Sequence, residues 1–246
     1  MRVYYSIPLE RSVQADAVVA MFDVVVHALH NAKALRINCA YKRVDDARNY
    51  IAGMFYEHSK NDDDVLVMLD NDHIHPKNIV AHLAEKCDAE HEIVGALMFR
   101  RSLPHDPCFY TLDDEGKSKD VALSFDGKSL VKCDIVGTGA IAIRRSAFRK
   151  LAEAGFDWPW FRFIYQPGLE NKIQRSEDWN FGLECRKIGI PHWCDMSIMS
   201  PHIGTNLIGP NEWLAVVQEG LKDPEKFAQD FKEIGLHFQP KEEATA

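Results

Sequence analysis

The chain has 246 residues, 46% of them hydrophobic, enough for a full buried core and within the range of one large α/β domain. A formal charge of −8, with basic residues in no run longer than pairs such as Arg100-Arg101 and Arg144-Arg145, argues against a surface built to neutralise phosphate backbones. Six cysteines without a C-x-x-C pair, no apolar leader segment and no run of 18 apolar residues argue against a disulfide framework and a membrane span, so reduced thiols and a cytoplasmic setting are expected.

Val3 to Ile7, closed by Pro8, reads as a first core strand. Val18, Met21, Phe22, Val25 and Leu29 then recur at helical spacing and are expected to form the inner face of a helix. A second strand is expected around Leu35 to Ala40. Asp45 or Asp46 is placed to cap a helix with inner residues Ala47, Tyr50, Ile51, Met54, Phe55 and His58. The run VLVML (65–69) predicts a buried strand, and a helix through Ile79, Val80 and Leu83 follows. Glu92 to Phe99 is the next strand. This alternation predicts a doubly wound, mostly parallel sheet. Further on come the short β segments CFYTL, VALSF and SLVKC, with Asp126-Gly127 as a tight turn, which fit a small mixed β extension. Helices over 145–154 and 178–188 should stop at Gly155 and Gly189, and two more are expected in the tail, the later one opened by Asp223 and Pro224.

Ligands of such sheets sit outside the carboxyl ends of the strands, and Asp70 and Asp72 lie at one of them. Two like charges about 4 Å apart cost roughly 4 kcal/mol at an effective dielectric near 20, so the pair calls for donors or a cation. Magnesium or manganese takes carboxylate oxygens and brings substrate phosphates with it. The plainer reading is that acids after a strand cap the next helix. Nearby His73, His75 and His82 lack zinc-site spacing, and His75 before Pro76 reads as loop structure. Arg48 falls in the first turn of its helix, where the dipole disfavours a cation, so an acid or a phosphate is expected to hold it; the plain partners are Asp45, Asp46 and Glu57. Asn49 beside it can donate and accept. Glu177 and Asp178 open another helix, where negative charge is stabilised and a carboxylate can be aimed into a cleft. His202 lies in a loop with small neighbours.

The ordered set SIP, DDARN, VLVMLDND, VGTGAIAIRRSAF, SEDWNFGLECRKIGIPHWCD and PHIGT resembles the metal-dependent GT-A type glycosyltransferases, close to the family-2-like enzymes of bacteria and their viruses. The resemblance covers most of residues 1–206. It implies a single GT-A domain with a nucleotide-binding half (1–100), a sugar and acceptor half (101–206) and a helical tail (207–246). It implies further that Ile7 and Pro8 border the nucleotide base and that Arg48 and Asn49 lie in the donor pocket. Asp70, Asn71 and Asp72 would form the D-x-D element, with Asp72 on the metal and Asp70 on the ribose or a metal-bound water. His202 would complete the metal or diphosphate site, and Gly137-Thr138-Gly139 would admit the sugar close to the backbone. Glu177 and Asp178 would face sugar and acceptor, with Asp178 as the base. Many inverting relatives carry a basic residue a few positions after the acidic pair. Here Arg186 and Lys187 follow by eight and nine, which leaves the stereochemical course open.

The implied reaction moves a hexose from a nucleotide diphosphate sugar, a UDP-sugar first, to an acceptor hydroxyl on a glycan, a small molecule or a hydroxylated base, with Mn²⁺ or Mg²⁺ as Lewis acid. Three other readings stand beside it. A sugar-nucleotide pyrophosphorylase would want a glycine-rich basic loop where this chain has SIPLERSVQ, a binding module would hold the donor without turnover, and a metal-dependent nuclease or phosphatase would also use paired carboxylates. Trp158, Trp160, Phe161, Phe163 and Tyr165 suit stacking on a sugar or base, or else a satellite core.

Overall fold

The computed structural model describes residues 1–9, 13–40, 42–119, 130–204 and 207–222. The first half alternates as its periodicity implies: β1 (Val3–Ser6), α1 (Ala15–His30), β2 (Leu35–Arg36), α2 (Val44–His58), β3 (Val65–Leu69), α3 (Ile79–Lys86) and β4 (Ile93–Leu97). There follow β5 (Phe109–Leu112), β6 (Ser118–Lys119), β7 (Leu130–Cys133), β8 (Ile135–Val136), β9 (Ala140–Arg144) and α4 (Arg145–Glu153). The last third holds β10 (Ile164–Gln166), β11 (Leu169–Arg175), α5 (Glu177–Lys187), β12 (His192–Met199), β13 (His202–Ile203), β14 (Leu207–Ile208) and α6 (Pro210–Lys222).

Seven strands form the main sheet in the order β2-β1-β3-β9-β4-β12-β7. The pairings run β2, β1, β3, β4 and β12 in one direction, with β9 and β7 opposed, so the sheet is mixed and mostly parallel. Its two faces carry separate cores. Leu66 and Met68 of β3 and Ile141 and Ile143 of β9 point into the layer holding Ile51, Phe55, Phe148 and Phe181. Val67, Leu69, Ala140 and Ala142 point into the layer holding Met21, Val24, Ile79 and Leu83. Every residue of β3 is buried, which is why the run VLVML shows no alternation. A smaller β6-β5-β8 sheet and a β10-β11 hairpin complete the α/β architecture. Gly155 and Gly189 end α4 and α5 with φ of +87° and +76°, values that glycine adopts without strain.

Four expectations change. The buried residues of α1 are Ala17, Met21, Val24 and Ala28, whereas Val18, Phe22 and Leu29 face outward. The two alanines allow the helix to lie close on the sheet, and the stripe of larger apolar residues turns to solvent. Neither Asp45 nor Asp46 caps α2: its N-cap is Arg43, both acids sit in the first turn, and Asp45 accepts from Arg43 Nε and Nη2 at 2.6 Å each. Tyr50, expected on the inner face, is 39% exposed. The second strand is only two residues long, with Ala40 joined to Leu9 by an isolated bridge. The VALSF strand, the Asp126-Gly127 turn and the helix expected from Asp223 lie outside the described residues.

Candidate functional site

β9 places the glycine turn against the end of β3. Leu69 pairs with Ala140, and the Asp70 amide donates to the Gly139 carbonyl at 2.7 Å. A Cβ on Gly139 would lie 2.9 Å from His73 Cε1, 3.0 Å from Met98 Sδ and 3.3 Å from Asp70 Oδ2, so this position has no room for a side chain. Gly137 is equally confined, with Cys108 Cβ at 2.9 Å. The close approach these glycines permit is to neighbouring protein groups.

Arg48 is 4% exposed and reaches three partners: Nη2 donates to Asp70 Oδ2 at 3.0 Å, Nε to Glu177 Oε1 at 3.2 Å and Nη1 to the Thr138 carbonyl at 3.1 Å. The acid after β3, the glycine turn and the first acid of α5 thus meet on one guanidinium. Burial works against the Arg48 charge, but the carboxylates of Asp70 and Glu177 outweigh it and raise its pKa. Burial, and then the charge of Asp178, push Glu177 above the ordinary carboxylate range despite the pull of Arg48.

Beside this network Asp72 faces two stacked imidazoles, with the His73 and His202 ring centroids 4.0 Å apart. The His202 segment is fastened there by backbone, through the His73–His202 bridge and the bond from Ile203 N to Asp72 O at 2.9 Å. One ligand atom from each of Asp72, His73 and His202 lies within 4.8 Å of the others. His202 Nδ1 donates to the Phe99 carbonyl at 3.1 Å, which turns Nε2 toward Asp72 Oδ2 at 3.2 Å. In the neutral ring this presents two lone pairs to one point, the arrangement a metal-ligating histidine takes when a carbonyl fixes its tautomer. That point now faces a cation of the chain itself: Arg101 Nη2 donates to Asp72 Oδ2 and lies 3.1 Å from His202 Nε2. Burial would raise the Asp72 pKa, but hydrogen bonds from His202 and His73, which the His202 ring can give only when protonated, outweigh it and hold the carboxylate well below its usual range. One carboxylate and two imidazoles suit manganese or zinc better than magnesium, which prefers oxygen ligands.

The remaining expected residues are distributed as follows. Asp70, expected as the second metal carboxylate, is turned to Arg48, and His73 stands third in the donor cluster in its place. Asn71 is half-buried in the turn between the two aspartates. Ile7 packs into the α1 and α3 core and Pro8 is half-buried at the strand end. Asn49 does not face the carboxylates: its amide donates to the Phe161 carbonyl at 2.6 Å and its oxygen accepts from Phe161 N at 2.8 Å, clamping the aromatic loop to α2. Asp178 accepts from Trp179 N at 2.7 Å and from the Ser176 hydroxyl, both through Oδ1. Of the loop aromatics, Trp160 and Phe161 are core, whereas Trp158, Phe163 and Tyr165 line a cavity of about 640 Å³ with Tyr50, Lys42 and Asp46.

Arg101 and His73 were missed as members of the site. A paired arginine reads as a solvated face, and a lone histidine after D-x-D matches no ligand spacing. His75 turned out to be more than loop structure. It is buried, with Nε2 at 2.7 Å from the Asp70 carbonyl and Nδ1 at 3.0 Å from Ser200 Oγ, and burial pushes it down to about 4. It is therefore a neutral strut holding the Asp70 backbone. All six cysteines are free. No helix among the described residues is long and apolar enough to cross a membrane.

No protein-family model matches this sequence, and no curated protein matches it. Among solved structures the chain is similar to A197 from STIV, at 17% identity and a TM-score of 0.58, over 86% of this chain and 92% of that one. It is similar at greater distance to the inositol-1-phosphate CTP transferase from T. maritima, at 11% identity and a TM-score of 0.41, over 85% and 90% of the two chains. A glycosyltransferase involved in glycosylation of the major capsid of PBCV-1 gives 11% identity and a TM-score of 0.32, over 68% and 78%. The likeness to A197 shows a shared fold; the other two are too distant to carry an argument.

Proposed function

We propose that the chain is a glycosyltransferase that moves a hexose from a nucleotide diphosphate sugar, first a UDP-sugar, to an acceptor hydroxyl, with a divalent cation held by Asp72, His202 and His73. The observation that carries this reading is the guanidinium of Arg48, which joins Asp70 at the donor-side strand end to Glu177 at the start of α5. A buried ion network of this kind costs desolvation and leaves two acids at fixed positions around one cleft, an arrangement typical of a site built for charge. When bound, the cation supplies Lewis-acid stabilisation of the charge that builds on the diphosphate leaving group. Manganese fits the donor set better than magnesium.

The chain's own residues divide the remaining work. Pro8, half-buried at the strand end, borders the base, and the 137–139 turn holds the Arg48 guanidinium through the Thr138 carbonyl. Arg48 fixes Asp70 and Glu177 through the hydrogen bonds above. Asp178 has Oδ1 committed to Ser176 and Trp179, which leaves Oδ2 to take the acceptor proton if the transfer inverts. If it retains, the acidic pair supports a cation-like sugar. Exposed Trp158 and Tyr165 flank the cavity on the acceptor side, where aromatic faces suit a sugar ring. Arg48 faces the carboxylates while Asp46 and Tyr50, on the same helix, face this cavity.

The test is product analysis with UDP-sugars and manganese. The proposal expects release of UDP, loss of that release in Asp72→Ala, and donor binding without turnover in Asp178→Asn. Formation of UTP on addition of pyrophosphate would instead identify a nucleotidyltransferase. Full turnover by Asp72→Ala would refute the cation site.

A further inference from the structure

The outer face of α1 has no role in the site. Val18, Val19, Phe22, Val26 and Leu29 are 42%, 66%, 72%, 50% and 52% exposed, on a helix whose inner face is already packed. Single exposed apolar residues are ordinary, but a stripe of five along 16 residues marks a contact surface. The helix packs into the layer that holds α3, on the opposite face of the sheet from the core of α2 and α5, which carry Arg48 and Glu177. A partner there leaves the carboxylate cleft open.

The helix's own charges select the occupant. Between Ala15 and His30 there are two acids, Asp16 and Asp23, and no lysine or arginine, which is the wrong composition for an anionic bilayer. The stripe is instead nearly self-complementary about its centre. In an antiparallel pairing with a two-fold axis near Phe22 and Asp23, Phe22 packs against its own copy and Val18 and Val19 meet Val26. Asp16 in the first turn then falls beside His30 in the last turn of the other helix, and the helix dipoles oppose. We propose that α1 is the isologous interface of a homodimer of this chain. At 1.5 Å per residue the helix is about 24 Å long, so this strip alone falls short of the roughly 800 Å² per partner of a standard interface, and the dimer belongs to the weak, concentration-dependent class.

Sedimentation of the full chain from about 1 to 500 µM tests this, with a concentration-dependent monomer–dimer equilibrium as the expected result. Phe22→Asp combined with Val26→Lys, both at exposed positions, should raise the dissociation constant about tenfold or more while leaving the circular dichroism spectrum unchanged. Phe22→Cys should give a cross-linked dimer under mild oxidation. Val18→Cys alone should not, but should cross-link when mixed with Val26→Cys. Three results would overturn the proposal: a wild-type chain that stays monomeric throughout, a dimer indifferent to the double substitution, or a monomer that sediments with phosphatidylcholine–phosphatidylglycerol vesicles.

Discussion

Arg101→Gln should tighten manganese binding. In the structure the Arg101 guanidinium bonds Asp72 Oδ2 and lies 3.1 Å from His202 Nε2, the two atoms a metal ion would claim. A cation entering between them must first displace the arginine. The Arg101 and Asp72 side chains are 54% and 38% exposed, so their pairing belongs to the solvent-screened class worth up to about 1 kcal/mol. Removing that competitor lowers the manganese dissociation constant by roughly fivefold, since about 1.4 kcal/mol corresponds to a factor of ten. Arg101→Lys, which keeps the charge but loses the planar fork, should fall between the two. The assay is titration of the free manganese signal by electron paramagnetic resonance, without any substrate, with Asp72→Asn as the variant that abolishes binding. Unchanged or weaker manganese affinity in Arg101→Gln would show that the arginine is not occupying the ion's place, and the argument for that place would fail.

Other consequences bear first on stability. Arg48→Met leaves Asp70 and Glu177 without their shared cation, and breaking a buried pair costs about 3–5 kcal/mol, or roughly 6–20 °C of melting temperature in a domain of this size; adding Glu177→Gln should restore part of the loss. Gly139→Ala forces a methyl to 2.9 Å from His73 Cε1 and should cost about 1–3 kcal/mol together with a weaker manganese site. Gly155→Ala, with φ of +87° and nothing within 4 Å, should cost about 1 kcal/mol and leave manganese binding unchanged. His192 is fully buried, accepts from Val136 N through Nδ1 and is pushed down to about 3 by burial. The unfolded chain therefore takes up a proton below its ordinary value near 6.5 that the folded chain refuses, so this stability is complete above that pH and is lost as pH falls toward 3, by up to about 4 kcal/mol. Chemical denaturation of His192→Asn between pH 7 and 4 should show a flatter pH dependence than the parent; an identical slope would rule the residue out.

The sequence by itself determined the elements wherever burial imposes a pattern. VLVML must be a central strand because five consecutive apolar residues can be covered only between two layers, and Gly155 and Gly189 end their helices because φ is positive there. The order of strands and helices, the D-x-D pair at a strand end and the acids opening α5 followed from the same local rules. What only the tertiary structure decided is which groups meet. Arg48 and Glu177 are 129 residues apart and join because β9 and α5 close on α2, a consequence of sheet order that no local periodicity encodes. The face of α1 was misread for a related reason: on a helix apolar nearly all round, a stripe with alanines and a stripe with phenylalanine both carry helical spacing. Only the space above the sheet selects the small one for burial. Asn49 and Arg101 took their places in the same way, since a polar side chain declares its partner only when the fold brings one within hydrogen-bonding reach.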